Sequence, residues 1–143
     1  MGHGKIVFEG TPKELEKDNK IRKIVYNFQK ICAYNPPKKY YGSILDGRDI
    51  TSIIMKDAMF KFFITASIKI RAIRRFKEYK KLNKKISYKE VLKSLKTRDF
   101  SDKYRKYGPL LKTKDSILIN TTKLSKTSCF KKIKHIMDRK IKA

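Results

Sequence analysis

The stretch that decides the fold is FKFFITASIKIRAIRRFK, residues 60–77. Within it KFFITA (61–66) is a short aromatic and β-branched run, the composition of a buried strand. Ser67 follows at once, and a serine hydroxyl there can accept from a backbone amide two or three residues on and so open a helix. A strand running straight into a capped helix is one half of a layered unit built on a parallel sheet. In that helix Ile73, Phe76 and Leu82 are expected to face inward, with Arg71, Arg74 and Arg75 together on the opposite side.

The same grammar continues downstream. Ser87-x-x-Glu90 is a capping box that opens another helix, with Val91, Leu92 and Leu95 as its buried stripe. SILI (116–119) reads as a strand, NTTKLS as a polar turn, and the last helix sets Phe130, Ile133, Ile136, Met137 and Ile141 on one face. Upstream, SIL (43–45) reads as a short buried strand opening into Asp46-Gly47-Arg48-Asp49. From Glu14 to Cys32, Leu15, Ile21, Ile24, Val25, Phe28 and Ile31 recur at helical spacing, until YNPPKKYYG ends that helix. Residues 1–12 read as a short strand broken by Gly and Pro. The fold class is therefore α/β, a parallel sheet layered with helices. Three such strands make a thin sheet, and a parallel sheet needs cover on both faces, so this one reads as incomplete.

Charge narrows the choice of ligand. The 143 residues hold 38 Lys plus Arg against 13 Asp plus Glu, a formal +25, which draws nucleic acid, acidic membrane or nucleotide phosphates. Most of the excess is lysine spread along the whole chain, as a general compositional drift would also produce. Eight Phe and eight Tyr within a 40% apolar composition are enough for a core and argue against a disordered tail. No apolar run approaches the ~20 residues of a membrane span. The N-terminus lacks an apolar signal-peptide core, which makes the cytosol the expected compartment. Cys32 and Cys129 stand in no CxxC pattern and His3 and His135 have no ligand-spaced partner, so reduced thiols and no metal site are expected.

Against that lysine background the arginines are selective. Ligands of an open α/β sheet sit beyond the carboxyl ends of its strands, where Asp46-Gly47-Arg48-Asp49 falls. Gly47 permits close backbone approach, Arg48 offers a planar fork for phosphate, and Asp49 can accept from an amino or hydroxyl group. Arg98, Asp102 and Arg105 are four and three residues apart, which on a helix puts them on one face. Alone, such a stripe could be a solvated ion pair worth a few tenths of a kcal/mol. Arginine at both flanking positions, with an acceptor between, suits a nucleotide better, and Arg71, Arg74 and Arg75 supply a third cluster. Phosphoryl transfer draws on this inventory, because its catalysis is mostly positioning and charge stabilisation.

Taken in order, ILDGRDI, TAS…RAIRR, LK.RD..D..R…PL and SILINTTKLS resemble the bacterial cytidylate kinases, a branch of the nucleoside monophosphate kinases, over about residues 19–140. The resemblance implies a P-loop NMP-kinase-like sheet, with residues 19–143 as its C-terminal part, a lid over about 67–105, and residues 1–18 as an atypical start. It implies transfer of a phosphoryl group from ATP, with Mg²⁺, to CMP or dCMP. By motif, Arg48 and Arg105 would hold the CMP phosphate, Asp49 and Arg22 the cytosine, and Arg98 and Asp102 the ribose. Arg71, Arg74 and Arg75 would close over ATP, and Asp46 would reach the metal through water.

The departures from the family pattern are specific. The phosphate cradle G-x-x-x-x-G-K followed by Ser or Thr is missing, together with the first strand and helix of the family. GHGKIVFEG lacks its spacing, and GKIVFEGTPKEL looks more like a strand-turn segment of transporter ATPases. Lys13 stands for a base-contacting serine, Thr51 for a glycine, Lys56 for a proline and Asn120 for an aspartate. The resemblance thus implies a truncated kinase, inactive alone, with a complementing P-loop fragment as a conceivable partner. The alternatives are a non-catalytic basic binder of nucleotide or nucleic acid, and the product of a decaying gene.

Overall fold

The computed structural model describes residues 18–142. The chain divides after Asp46 into two compact units. The first strand and Leu15, expected within residues 1–17, lie outside the described residues.

In the first unit helix α1 spans Asn19–Tyr34. It starts where Asp18 accepts from the amides of Lys20 and Ile21 at 2.7 and 3.2 Å, and stops before the Pro36-Pro37 pair, with the Asn35 amide bonded to Ile31. Ala33 is its one buried residue. The expected apolar stripe is present in sequence yet Ile24, Val25, Phe28 and Ile31 are exposed, as is Cys32. Residues 43–45 form no strand, and Ile44 is 99% exposed. A strand exists only where a neighbour takes up its backbone groups, and no other strand is found among the described residues of this unit.

The second unit holds the expected strand–helix–helix–strand–helix order. Strand β1 (Phe62–Thr65) and strand β2 (Ile117–Asn120) pair in parallel, with Phe62 opposite Ile117 and Thr65 opposite Asn120. Lys61, itself buried, ties the start of the ladder together by bonding the Lys56 carbonyl and Asp115. Asp115 is held below the usual carboxylate range by hydrogen bonds from Lys61 and then Thr113. At the far end the Thr121 amide and hydroxyl both donate to the Thr65 carbonyl, at 2.7 and 3.1 Å. Ile119 is fully buried, whereas Ile64 and Leu118, on opposite faces of the ladder, are more than half exposed. The sheet is thin, as the strand count suggested.

Helix α2 (Ile68–Lys81) begins at Ser67, whose hydroxyl accepts from Ile70 N at 3.4 Å. Helix α3 (Tyr88–Tyr104) begins with both halves of the capping box made, Ser87 with Glu90. The two pack against one another around Ala72 and Val91, with Phe76 edge-on to Tyr88 at 6.1 Å. Small Ala72 is what lies against the neighbour; Ile73 and Leu82, expected inside, are exposed at 40% and 65%. Helix α4 (Lys126–Lys142) half-buries Ile133, Ile136 and Met137 and leaves Phe130 and Ile141 outside. No described helix is long and apolar enough to cross a membrane.

Candidate functional site

The last turns of α3 carry two carboxylates, Asp99 and Asp102, and guanidinium groups reach both from distant parts of the second unit. Arg48 donates from Nε to Asp102 Oδ2 at 2.7 Å, across 54 residues of sequence. Arg98, one turn earlier on α3, sets its Nε 3.8 Å from the same oxygen. The Asp102 side chain is only 15% exposed. An ionised carboxylate so placed requires such partners, because leaving it unpaired away from water is costly.

Arg71 of α2 meets Asp99 with two parallel bonds, Nη1 to Oδ1 at 2.8 Å and Nη2 to Oδ2 at 2.5 Å. Its Nε donates to the Ala66 carbonyl at 3.1 Å, so all three of its nitrogens donate within the protein. The Arg71 hydrogen bonds hold the Asp99 carboxyl below the usual carboxylate range, against the opposing effect of burial, and the charges of Arg48 and Arg98 add to them. Arg71 is raised in turn by its bond to Asp99. Three guanidinium groups therefore enclose two carboxylates, and positive charge is in excess.

Local backbone explains how Arg48 arrives there. Gly47 lies so close to Ile50 that a Cβ would stand 2.8 Å from its Cγ1. Asp49 is buried, and its carbonyl accepts from the amides of Ile53 and Ile54 and the hydroxyl of Ser52. That opens a π-helical turn, Ile50–Ile54, anchored by fully buried Ile54. The bend is thus fixed on one side by a missing side chain and on the other by a core residue.

Arg105 does not continue the stripe. It is the C-cap of α3 with an extended backbone, and its Nε donates to the Gly108 carbonyl at 2.6 Å. Gly108 takes a left-handed φ of 56°, and the Leu110 amide returns to the Asp102 carbonyl at 2.7 Å. The chain folds back over the helix end and takes Arg105 with it, so only Arg98 and Asp102 share the helical face.

The three arginines of α2 also part company. Arg71 goes to α3. Arg74 binds the turn after β2, donating to Thr121 Oγ1 at 3.1 Å, the Thr121 carbonyl at 2.6 Å and the Leu124 carbonyl at 3.2 Å. Arg75 stays on its own helix, 3.1 Å from Glu78 Oε2 and over the Tyr79 ring. Arg22 and Asp46 belong to the first unit: Arg22 is half-buried on α1 and bonded to Asn19, and Asp46 is exposed. Sequence reasoning missed Asp99. Its one signal is the carboxylate directly after Arg98, which spacing alone does not connect to an arginine 28 residues earlier.

Among the described residues no group of three or more His, Cys, Asp or Glu is placed to hold a metal ion. What the arrangement offers instead is anion chemistry. Arg48 and Arg98 are planar donors held near one carboxylate, and a guanidinium that donates to a carboxylate can donate equally to phosphate oxygens.

Comparison with known proteins agrees with that chemistry. The family model described as cytidylate kinase matches residues 13–139. A cytidylate kinase of Clostridium botulinum (strain Langeland / NCTC 10281 / Type F) is 39% identical over 138 residues, covering 89% of this chain and 64% of that protein. Those of Clostridium tetani (strain Massachusetts / E88) and Clostridium perfringens (strain SM101 / Type A) are 43% and 41% identical, covering 71% and 69% of this chain and 43% and 46% of theirs. The chain thus spans no more than about two thirds of the length of these relatives. With its matched residues running through the Arg48 bend, α2, α3 and β2, the chain belongs to the cytidylate kinase family.

Proposed function

We propose that this chain carries the nucleoside monophosphate side of a cytidylate kinase, which moves the terminal phosphoryl group of ATP to CMP or dCMP. A phosphate oxygen of CMP attacks the γ-phosphorus, the bond to the bridging oxygen breaks, and ADP and CDP leave. Mg²⁺ enters with ATP, bound mostly by its phosphates, as part of that substrate.

The observation that supports this reading is the convergence of Arg48 and Arg98 on half-buried Asp102. Arg48 and Arg105 would take the CMP phosphate, Arg98 and Asp102 the ribose hydroxyls, and Asp49 the cytosine. Helices α2 and α3 would form the lid, with Arg71, Arg74 and Arg75 turned toward ATP once they exchange their present partners. The chain by itself should turn over little, because no glycine-rich cradle for the ATP phosphates is written in its sequence. A fragment supplying that cradle is the partner that would restore turnover.

Coupled ADP release with MgATP and CMP tests the reading. Little turnover is expected from the chain alone, and turnover once a P-loop fragment of a relative is added. Turnover by the chain alone at the rate of a full-length relative would contradict the expected inactivity.

A further inference from the structure

The turn between α2 and α3 gathers positive charge that the fold does not neutralise. Residues 75–89 hold seven Lys or Arg against one acidic residue, Glu78, and Arg75 already engages it at 3.1 Å. Among the described residues, none of the six lysines in this stretch meets a carboxylate. Helix energetics accounts for two of them, Lys80 and Lys81, which sit in the last turn of α2 where the dipole favours cations. Lys89 stands in the first turn of α3 and Lys85 just before it, where the dipole disfavours them. Folding gains nothing from cations placed there, so an external anion is the better reason for them.

The scaffold under these charges is fixed and aromatic. Asn83 takes a left-handed φ of 53°, and the amides of Leu82, Asn83 and Lys84 return to the carbonyls of Glu78, Tyr79 and Lys80. Lys80 lies 5.1 Å over the Phe76 ring, while Arg75 and Lys84 lie 4.8 and 5.3 Å over that of half-buried Tyr79. We propose that this turn is a docking surface for single-stranded nucleic acid. Lysines on either side of aromatic rings match what such a strand carries, a phosphate at each step and a base between. A base stacked on Tyr79 is worth more than an exposed cation over the same ring, and Lys84, displaced from it, can take a flanking phosphate. A duplex hides its bases. A membrane surface needs an apolar anchor beside the charges, and Leu82 is the one large hydrophobic exposed in this stretch. The surface lies at the opposite end of α3 from Asp99 and Asp102 and stands apart from the CMP reading.

The test is fluorescence anisotropy of a labelled single strand of about 12 nucleotides, titrated with the whole chain over a range of salt. Lys84→Ala with Lys85→Ala should weaken binding about tenfold and flatten log affinity against log salt by about 1.4, the share of two phosphate contacts. Lys131→Ala with Lys132→Ala removes the same charge from exposed positions on α4 and should leave both quantities as they were. Equal losses in the two pairs would mean general attraction to the net charge, and would overturn the proposal. Tyr79→Ala should also weaken binding about tenfold, with the salt slope kept, and Tyr79→Phe should bind as the wild type does. The lysine pair leaves the packing between α2 and α3 untouched, so it decides even where Tyr79→Ala folds poorly. A duplex of the same length bound more tightly than the single strand overturns the proposal, as does no binding of the strand at low salt. Vesicles of phosphatidylserine and phosphatidylcholine bound in place of the strand would assign the surface to a membrane instead.

Discussion

The end of α3 and the middle of α4 are both helical segments rich in charge, and they use it in opposite ways. On α4 the pair Lys134–Asp138 joins residues one turn apart at 2.5 Å, with both side chains largely in water. On α3, Asp99 and Asp102 accept from arginines 28 and 54 residues away, and Asp102 is mostly covered. The α4 pair ties a helix to itself. The α3 pairs tie the Arg48 bend and α2 to one helix end, and gather more guanidinium than carboxylate in one place. Charge density read along the chain does not separate these cases; sequence distance and burial do.

That contrast can be attacked by substitution, and the largest effect is expected at Asp102. Asp102→Ala removes the acceptor shared by Arg48 and Arg98, and should lower unfolding free energy in urea by about 2 kcal/mol. A loss indistinguishable from that of an exposed pair would erase the difference between the two helices. Next comes Gly47→Ala, where the new methyl meets Ile50 and the bend carrying Arg48 must shift. A loss of about 1 kcal/mol is expected, accompanied by weaker CMP binding in titration. Stability loss with CMP affinity intact would mean that the bend does not position Arg48.

Asp99→Asn should cost about 1 kcal/mol near neutral pH, modest because both partners remain partly in water. Its pH dependence is sharper. Asp99 binds its proton less readily folded than unfolded, so its contribution is present above the ordinary carboxylate pKa of about 4 and fades as pH falls through the lower folded value. The wild type and the variant should therefore converge in stability as urea melts are taken from pH 5 downward. Melts that stay parallel would remove the Arg71 pair as the cause. The smallest effect belongs to α4: Lys134→Ala should leave the urea midpoint where it was.

Much of the second unit was legible because its signals are local. Ser67 and the Ser87–Glu90 box act on amides within three residues, and KFFITA and SILI find each other as neighbours in a parallel ladder. The misreadings all required knowledge of what lies across from a segment. SIL has no strand beside it among the described residues, and the α1 stripe has the spacing of a buried face yet lies exposed. At Ile73 the packing partner chose Ala72 instead, since two helices approach most closely over a small side chain. In the site, Arg98 and Asp102 follow from helical spacing. The loss of Arg105 to its own turn follows from Gly108, whose left-handed φ reverses the chain just past the helix and offers its carbonyl to the guanidinium. The Arg71–Asp99 and Arg48–Asp102 bonds join separate elements, and no local pattern encodes them.

The most direct measurement of the central claim is the affinity for CMP, by calorimetry, of the wild-type chain, Arg48→Ala and Lys134→Ala. The two variants lose the same charge from the two regions contrasted here. CMP should bind the wild type and Lys134→Ala alike and Arg48→Ala at least about tenfold more weakly. Equal affinity for all three, or equal weakening in both variants, would contradict a CMP site built on Arg48.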